Sequence, residues 1–288
     1  MKDKTVKIVL ISDYFLKDLA FGGGAEYNDE IINDLLINKG YSVIRKKSHQ
    51  ADVKFLSSLP DGTKLIVSNF INLSEESKQY ITKNLDYIIY EHDHKYLRLR
   101  IPSLFYNFKA PDHEIANYNF YKSAKTVLAQ TSFHKKIIDL NIDTENVISL
   151  SGNLWTDEDF EQFKENLSMA KTEQCSVLNS PLINKGTAKA VKHCEENSID
   201  YELIADKNYY KFLKKIASNQ KLIFLPTIPE TLSRICVEAK MMGCSVITNG
   251  MVGAKYEDWY KLRGEELIEH MKKTRDEIVE LILEQLSG

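Results

Sequence analysis

The sequence predicts an α/β protein made of two doubly wound domains, spread over 288 residues. Three observations carry this. Short apolar runs of strand length alternate with stretches of helical periodicity. The strand runs are apolar on both faces, as in parallel sheets covered by helices on each side. The alternation also lapses near residues 150–172 and then restarts, as if one architecture were used twice.

In the first series, VKIVLIS (Val6–Ser12) reads as a strand. It is followed by a glycine loop and a helix with apolar Ile31, Ile32, Leu35 and Leu36, stopped at Gly40. YSVIRKK (Tyr41–Lys47) and KLIVSNF (Lys64–Phe70) are the second and third strands. SEESKQYITKNL (Ser74–Leu85) is a helix: Ser74 is a good N-cap, and acids in the first turn suit the helix dipole. YIIYEH (Tyr87–His92), KTVLAQ (Lys125–Gln130) and NVISLSG (Asn146–Gly152) complete the strands, with a helix SFHKKIIDLN between the last two.

The second series has strands at CSVLNS (Cys175–Ser180), DYELIAD, KLIFLP (Lys221–Pro226) and CSVITN. Helices are expected at KGTAKAVKHCEEN, NYYKFLKKIASNQ and 232–242. The chain ends in one or two amphipathic helices. The expected division is an N-terminal domain over 1–155, a second over 156–262, and C-terminal helices over 263–288 that pack back on the first domain. In such sheets ligands bind outside the carboxyl ends of the strands, so the chemistry should sit just after them.

Composition narrows the classes. Hydrophobic residues are 43% and charged residues 27%, which is globular. Net charge is −3, so no global positive field draws in nucleic acid; such a contact would need a local basic groove. Cys175, Cys194, Cys236 and Cys244 form no CxxC pair, which reads as free thiols in a reducing compartment. There is no signal-peptide pattern at the N-terminus and no run near roughly 18 apolar residues, so a cytoplasmic protein without a membrane span is expected.

The most informative stretch is PETLSRICVEAKMMGCSVITN, Pro229–Asn249. Glu230 falls in the loop after a strand. A helix starting near Leu232 would turn the free amides of Leu232, Ser233 and Arg234 toward the ligand side, an anion site suited to a diphosphate. Glu238 lies two turns further on. Carboxylates suit vicinal diols because each accepts two O–H bonds. Spacing alone favours the plainer reading, a solvated loop acid plus a helix-surface acid.

This stretch resembles the retaining GT-B glycosyltransferases that use nucleotide-diphosphate sugars, whose Glu-x7-Glu motif precedes EA-x-x-x-G-x-P-V-I. Here that stands as Glu230, Glu238, Ala239, Gly243, Val246 and Ile247, with Ser245 where proline is usual. LSGNLWTDEDF (Leu150–Phe160) resembles the family's crossover into the second domain, and NKGTAKAVK (Asn184–Lys192) its lysine–glycine segment. GGGAE near the N-terminus and HD at 92–93 keep the same order. The tract from YEHDHKYLRLR to TSFHKKII also resembles glycosyltransferases encoded by bacteriophages, which makes a hydroxymethylated DNA base one candidate acceptor, against the acidic net charge; a saccharide, a lipid-linked sugar or a protein is equally open.

The resemblance implies the GT-B fold, with two Rossmann-like domains facing a cleft, and a nucleotide-sugar donor on the second. It implies that Glu230 binds the sugar hydroxyls, Glu238 the ribose, and Lys185 the leaving diphosphate. The family's arginine, about six residues before that lysine, is replaced by Asn179 and Ser180. Arg234 is a candidate substitute, as readily turned outward. Gly22, Gly23 and Gly24 form a loop that faces donor or acceptor or is a plain surface turn; G-x-G-x-x-G is absent because Tyr27 takes the last position. Glu26 is a weaker candidate in that loop. His92 is placed near the reacting carbon, and a structural histidine is the competing reading. EHDH puts His92 and His94 on one face, but no third ligand is evident, so no metal and no cofactor beyond the donor are expected. Lys95, Arg98, Arg100, Lys109, Lys122 and Lys125 interleave with aromatics, which can hold nucleic acid, line a sugar groove, or simply pack. The opposing class is a catalytically silent GT-B module that binds a nucleotide sugar or serves as a partner; a GT-B epimerase is a third reading.

Overall fold

A computed structural model describes residues 7–19 and 22–287. Val6, at the head of the first expected strand, and Gly288, at the end of the last helix, lie outside the described residues. The chain divides into two compact units. One is formed by residues up to Gln130, His134–Leu150 and the stretch from Asp276 on; the other by Thr131–Phe133 and Ser151–Arg275.

The first unit holds six parallel strands: β1 (Lys7–Ser12), β2 (Ser42–Lys47), β3 (Lys64–Val67), β4 (Asp86–Glu91), β5 (Thr126–Ala129) and β6 (Val147–Ser149). Their order is β2-β1-β3-β4-β5-β6. Ile8–Ile11, Leu65–Val67, Ile88–Tyr90 and Val127–Ala129 are buried, which explains the unbroken apolar runs. Each such side chain contributes roughly 1.5–3 kcal/mol by leaving water. β2 sits at the edge and its burial alternates, so it tolerates Arg45, Lys46 and Lys47.

Helices α1 (Gly24–Asn38), α2 (Val53–Ser57), α3 (Glu75–Asn84), α4 (Tyr118–Lys122) and α5 (Ser132–Asn141) connect these strands. Ser74 caps α3 by accepting from the Ser77 amide at 3.1 Å. A long segment between β4 and α4 is closed at its base by the Leu97–Ile115 bridge.

The second unit begins with α6 (Asp157–Leu167), which strand and helix periodicity did not single out. Its start is a capping box: Thr156 Oγ1 accepts from Asp159 N at 3.0 Å, and Asp159 Oδ2 from Thr156 N at 2.8 Å. Next come β7 (Thr172–Leu178), α7 (Thr187–Glu196), β8 (Tyr201–Ile204), α8 (Tyr209–Ala217), β9 (Asn219–Phe224), α9 (Arg234–Met241), β10 (Ser245–Thr248) and α10 (Glu265–Ser287). The sheet is parallel, in the order β10-β9-β7-β8. One face packs on a large core that includes Trp155, Phe160, Phe163, Leu213, Leu222 and Leu267. The other packs on α7 through Val177, Ala190, Cys194 and Ile223. Coverage of both faces makes this unit doubly wound.

The chain end is one helix. In the first unit, Lys39 pairs with Glu280 at 2.5 Å and Thr126 donates to Gln285 at 2.5 Å. No helix among the described residues is long and apolar enough to cross a membrane.

Candidate functional site

In a parallel sheet the chain leaves a crevice where the strand order reverses. In the second unit that point lies between β7 and β9, and the loops leaving their carboxyl ends are 179–186 and 225–233. Gly186 brings the loops together. Its φ is +73°, and a Cβ there would lie 1.9 Å from the Leu225 carbonyl oxygen. The backbones are tied by Thr227 N donating to Asn184 O at 3.0 Å. Thr187 Oγ1 donates to Leu178 O at 2.6 Å and accepts from Ser180 N at 3.1 Å, which holds the first loop onto its strand.

The second loop is anchored on its other side. Glu230 N donates to Met251 O at 2.7 Å and Gly253 N to Glu230 O at 2.9 Å. Gly253 approaches so closely that a Cβ would stand 2.3 Å from Thr231 O. These ties bring Lys185 and Glu230, 45 residues apart in sequence, to 2.8 Å from Nζ to Oε1. Their side chains keep 31% and 17% exposure, so a ligand can reach both. A pair this open contributes little to stability; its consequence is a fixed cation and a fixed acceptor in one crevice.

Beside them α9 begins without a side-chain cap. Ser233, at its N-cap, is held at φ +80°, and its buried hydroxyl has no hydrogen-bond partner. An uncapped α-helix start directs amide N–H groups and the positive end of its dipole outward. Leu232 is buried in the core, so only its backbone is available to a ligand. Asn179 is exposed at the end of β7, its amide donating to Ile204 O at 2.8 Å.

Glu238 and Arg234 meet differently. Glu238 is 2% exposed, and its Oε1 accepts from Tyr209 OH at 2.8 Å, Trp155 Nε1 at 3.1 Å and Arg234 Nε at 3.2 Å. The Arg234 guanidinium lies 4.7 Å from the Trp155 ring centre and donates to Leu154 O at 2.7 Å. Arg234 is therefore turned inward. Burial opposes its charge, but Tyr209 and Glu238 outweigh that and hold it protonated. Burial, then Glu238, pushes the Tyr209 phenol well above its ordinary value. Trp155 and Tyr209 were not legible as partners of the acidic motif, since they lie 83 and 29 residues from Glu238.

In the first unit, His92 follows β4 and its side chain is 2% exposed. Gln130 Nε2 lies 2.8 Å from its Nδ1, Asn28 Nδ2 is 3.5 Å from the same atom, and Asp29 Oδ1 is 3.5 Å from its Nε2. His94 is buried against Tyr96 and His134. Burial holds the His134 imidazole well below its usual pKa. Asp93 is held below the ordinary carboxylate value: burial opposes its charge, but Lys95, His94 and Arg100 prevail. Among the described residues no three His, Cys, Asp or Glu side chains group to hold a metal.

Gly22 permits close packing, because a Cβ there would meet Leu16 Cδ1 at 2.4 Å. The Gly23 amide donates to Glu26 Oε2 at 2.9 Å, so α1 already has an anion at its start. Gly24 is the first residue of α1.

The basic and aromatic tract is partly interior. Lys95 pairs with buried Glu91 at 2.6 Å, and Tyr96 and Phe120 are core residues. Arg100 pairs with Asp93 at 2.7 Å and Arg98 donates to His113 O at 2.7 Å.

No protein-family model and no curated protein sequence matches the chain. Among solved structures, the fold is that of the GT-B glycosyltransferases, with two Rossmann-like domains. Sucrose-phosphate synthase from Thermosynechococcus elongatus aligns with a TM-score of 0.64 at 10% identity, covering 98% of each chain. Anabaena HepE, in complex with UDP and glucose, aligns at 0.53 with 13% identity, covering 95% of this chain and 90% of its own. An alpha-glucosyltransferase in complex with UDP and a 13-mer DNA aligns at 0.52 with 11% identity, over the same shares.

Proposed function

We propose that this chain is a retaining glycosyltransferase that moves a sugar from a nucleotide-diphosphate donor to an acceptor hydroxyl. The observation that carries this reading is the Lys185–Glu230 pair in the β7/β9 crevice, beside the uncapped start of α9. Lys185 and the first amides of α9 hold the diphosphate and stabilise its charge as the glycosidic bond breaks. Glu230 accepts hydrogen bonds from the sugar hydroxyls. The departing phosphate oxygen takes the acceptor's proton on the same face, so no side-chain nucleophile is assigned and no metal is required. The UDP complexes of HepE and the alpha-glucosyltransferase support a uridine donor as the first to test.

Glu238 is assigned to the ribose through its second oxygen, while Oε1 anchors Arg234 and Tyr209. The glycine loop Gly22–Gly24 and His92 are assigned to the acceptor side, with a saccharide or a hydroxymethylated DNA base as candidate acceptors. The DNA bound to the alpha-glucosyltransferase motivates the second.

Two observations favour a rival reading, a catalytically silent module that only binds the nucleotide sugar. Asn179 stands where the family has an arginine, and Glu238 Oε1 already has three donors. A donor screen separates the readings. Donor at a hundredfold over Kd stabilises by about 2.7 kcal/mol. An enzyme also releases nucleotide diphosphate, at a rate that Lys185→Ala lowers by about a hundredfold or more. Binding without release supports the silent module. No binding of any nucleotide sugar defeats both.

A further inference from the structure

At the opposite end of the second sheet, beside the amino ends of β9 and β10, lies an open groove of about 380 Å³. Lys171, Lys221 and Arg263 reach it from three separate segments, with Gln220 and Ser245 as neutral polar groups, and no acid lines it. Its floor is Leu167 with Gly243 and Gly264. A Cβ at Gly243 would meet Leu167 Cδ1 at 2.7 Å and Lys171 Cε at 3.7 Å, so glycine lets the Leu167 side chain pack directly on the backbone here.

None of the three cations has a carboxylate partner among the described residues. Elsewhere in this unit cations commonly have one, as in Lys185–Glu230, Lys215–Asp206 and Arg275–Asp157 at 2.7–3.0 Å. Two of the head groups are also held in place. Lys171 Nζ donates to Ala217 O at 2.7 Å, and Arg263 Nη1 to Ser245 Oγ at 3.1 Å. In a chain of net charge −3, neighbouring cations without acids form a local anion site.

We propose that this groove binds the phosphoryl group of a small polyanion, at a second site separate from the β7/β9 crevice. The three cations line one concavity, which suits a compact phosphomonoester or pyrophosphate; a nucleic-acid strand needs charges spaced along a track. The site does not depend on the chain transferring a sugar.

The test is calorimetric titration of the full chain with inorganic pyrophosphate at matched ionic strength. It compares Lys185→Ala, which disables the crevice as a pyrophosphate site, with the same variant carrying Lys221→Gln and Arg263→Gln, each checked for an unchanged thermal melt. The expected result is saturable binding in Lys185→Ala, weakened at least tenfold when Lys221→Gln and Arg263→Gln are added. Equal binding in the two, or none in Lys185→Ala at millimolar pyrophosphate, overturns the proposal. So does a loss, on adding Lys221→Gln and Arg263→Gln, of affinity for a short single-stranded oligonucleotide with pyrophosphate binding unchanged.

Discussion

Gly186→Ala is the most decisive substitution for the crevice. At φ +73° an L-residue costs about 1–2 kcal/mol. The new Cβ would lie 1.9 Å from Leu225 O, where ordinary contact starts at 3.4 Å, so the loops must part by about 1.5 Å (3.4 − 1.9). That breaks the Thr227–Asn184 hydrogen bond, for about another 1 kcal/mol. The expected loss is about 2–3 kcal/mol, with Lys185 drawn away from Glu230. Both tryptophans, Trp155 and Trp259, lie in the second unit, so their fluorescence in urea reports its unfolding. Gly264→Ala is the control: φ is +61°, but the nearest atom is Leu167 Cδ1 at an ordinary 3.5 Å, so only the backbone term of about 1–2 kcal/mol applies. If the two variants lose the same stability within about 0.5 kcal/mol, or if Gly186→Ala binds donor like wild type, the close loop approach does not build the site.

Other expectations follow from the same geometry. Glu238→Ala leaves the Arg234 guanidinium buried without its carboxylate and should cost about 3–5 kcal/mol in the tryptophan-monitored melt; a loss under about 1 kcal/mol would contradict the anchor role. Burial lowers the folded pKa of His134, so the unfolded chain binds its proton first, and stability falls as pH drops below the unfolded value of about 6.5, by up to about 1.4 kcal/mol per pH unit. His134→Gln should flatten that slope in urea midpoints taken between pH 7 and 5. All four cysteines are buried, and burial pushes the Cys236 thiol up to about 12. Ellman's reagent should therefore label the native chain far more slowly than the urea-unfolded one, and fast native labelling of Cys236 would refute this.

Much of the fold was legible because its signals are local. The apolar runs Val6–Ser12 and Lys221–Pro226 mark β1 and β9, and Ser74 with its acids marks the start of α3. The helix α6 is also signalled, by the Thr156/Asp159 box, within a stretch whose family resemblance points only to a crossover between domains. Lys185 and Glu230 could be named from their motifs. Their contact could not, because it depends on the φ of Gly186 and on the carbonyl of the distant Leu225. The orientation of Arg234 was equally hidden, since the ring it stacks on belongs to a distant segment.

By itself the amino-acid order determined two helix-covered parallel sheets and the residue types available at the strand exits, because periodicity and composition act over a few neighbouring residues. Tertiary structure alone decided which of those residues meet. Strand order put the loops after β7 and β9 side by side, and desolvation enclosed Arg234, Glu238, Trp155 and Tyr209 in one cluster. Such contacts depend on burial and chain crossing, which no short stretch of sequence encodes.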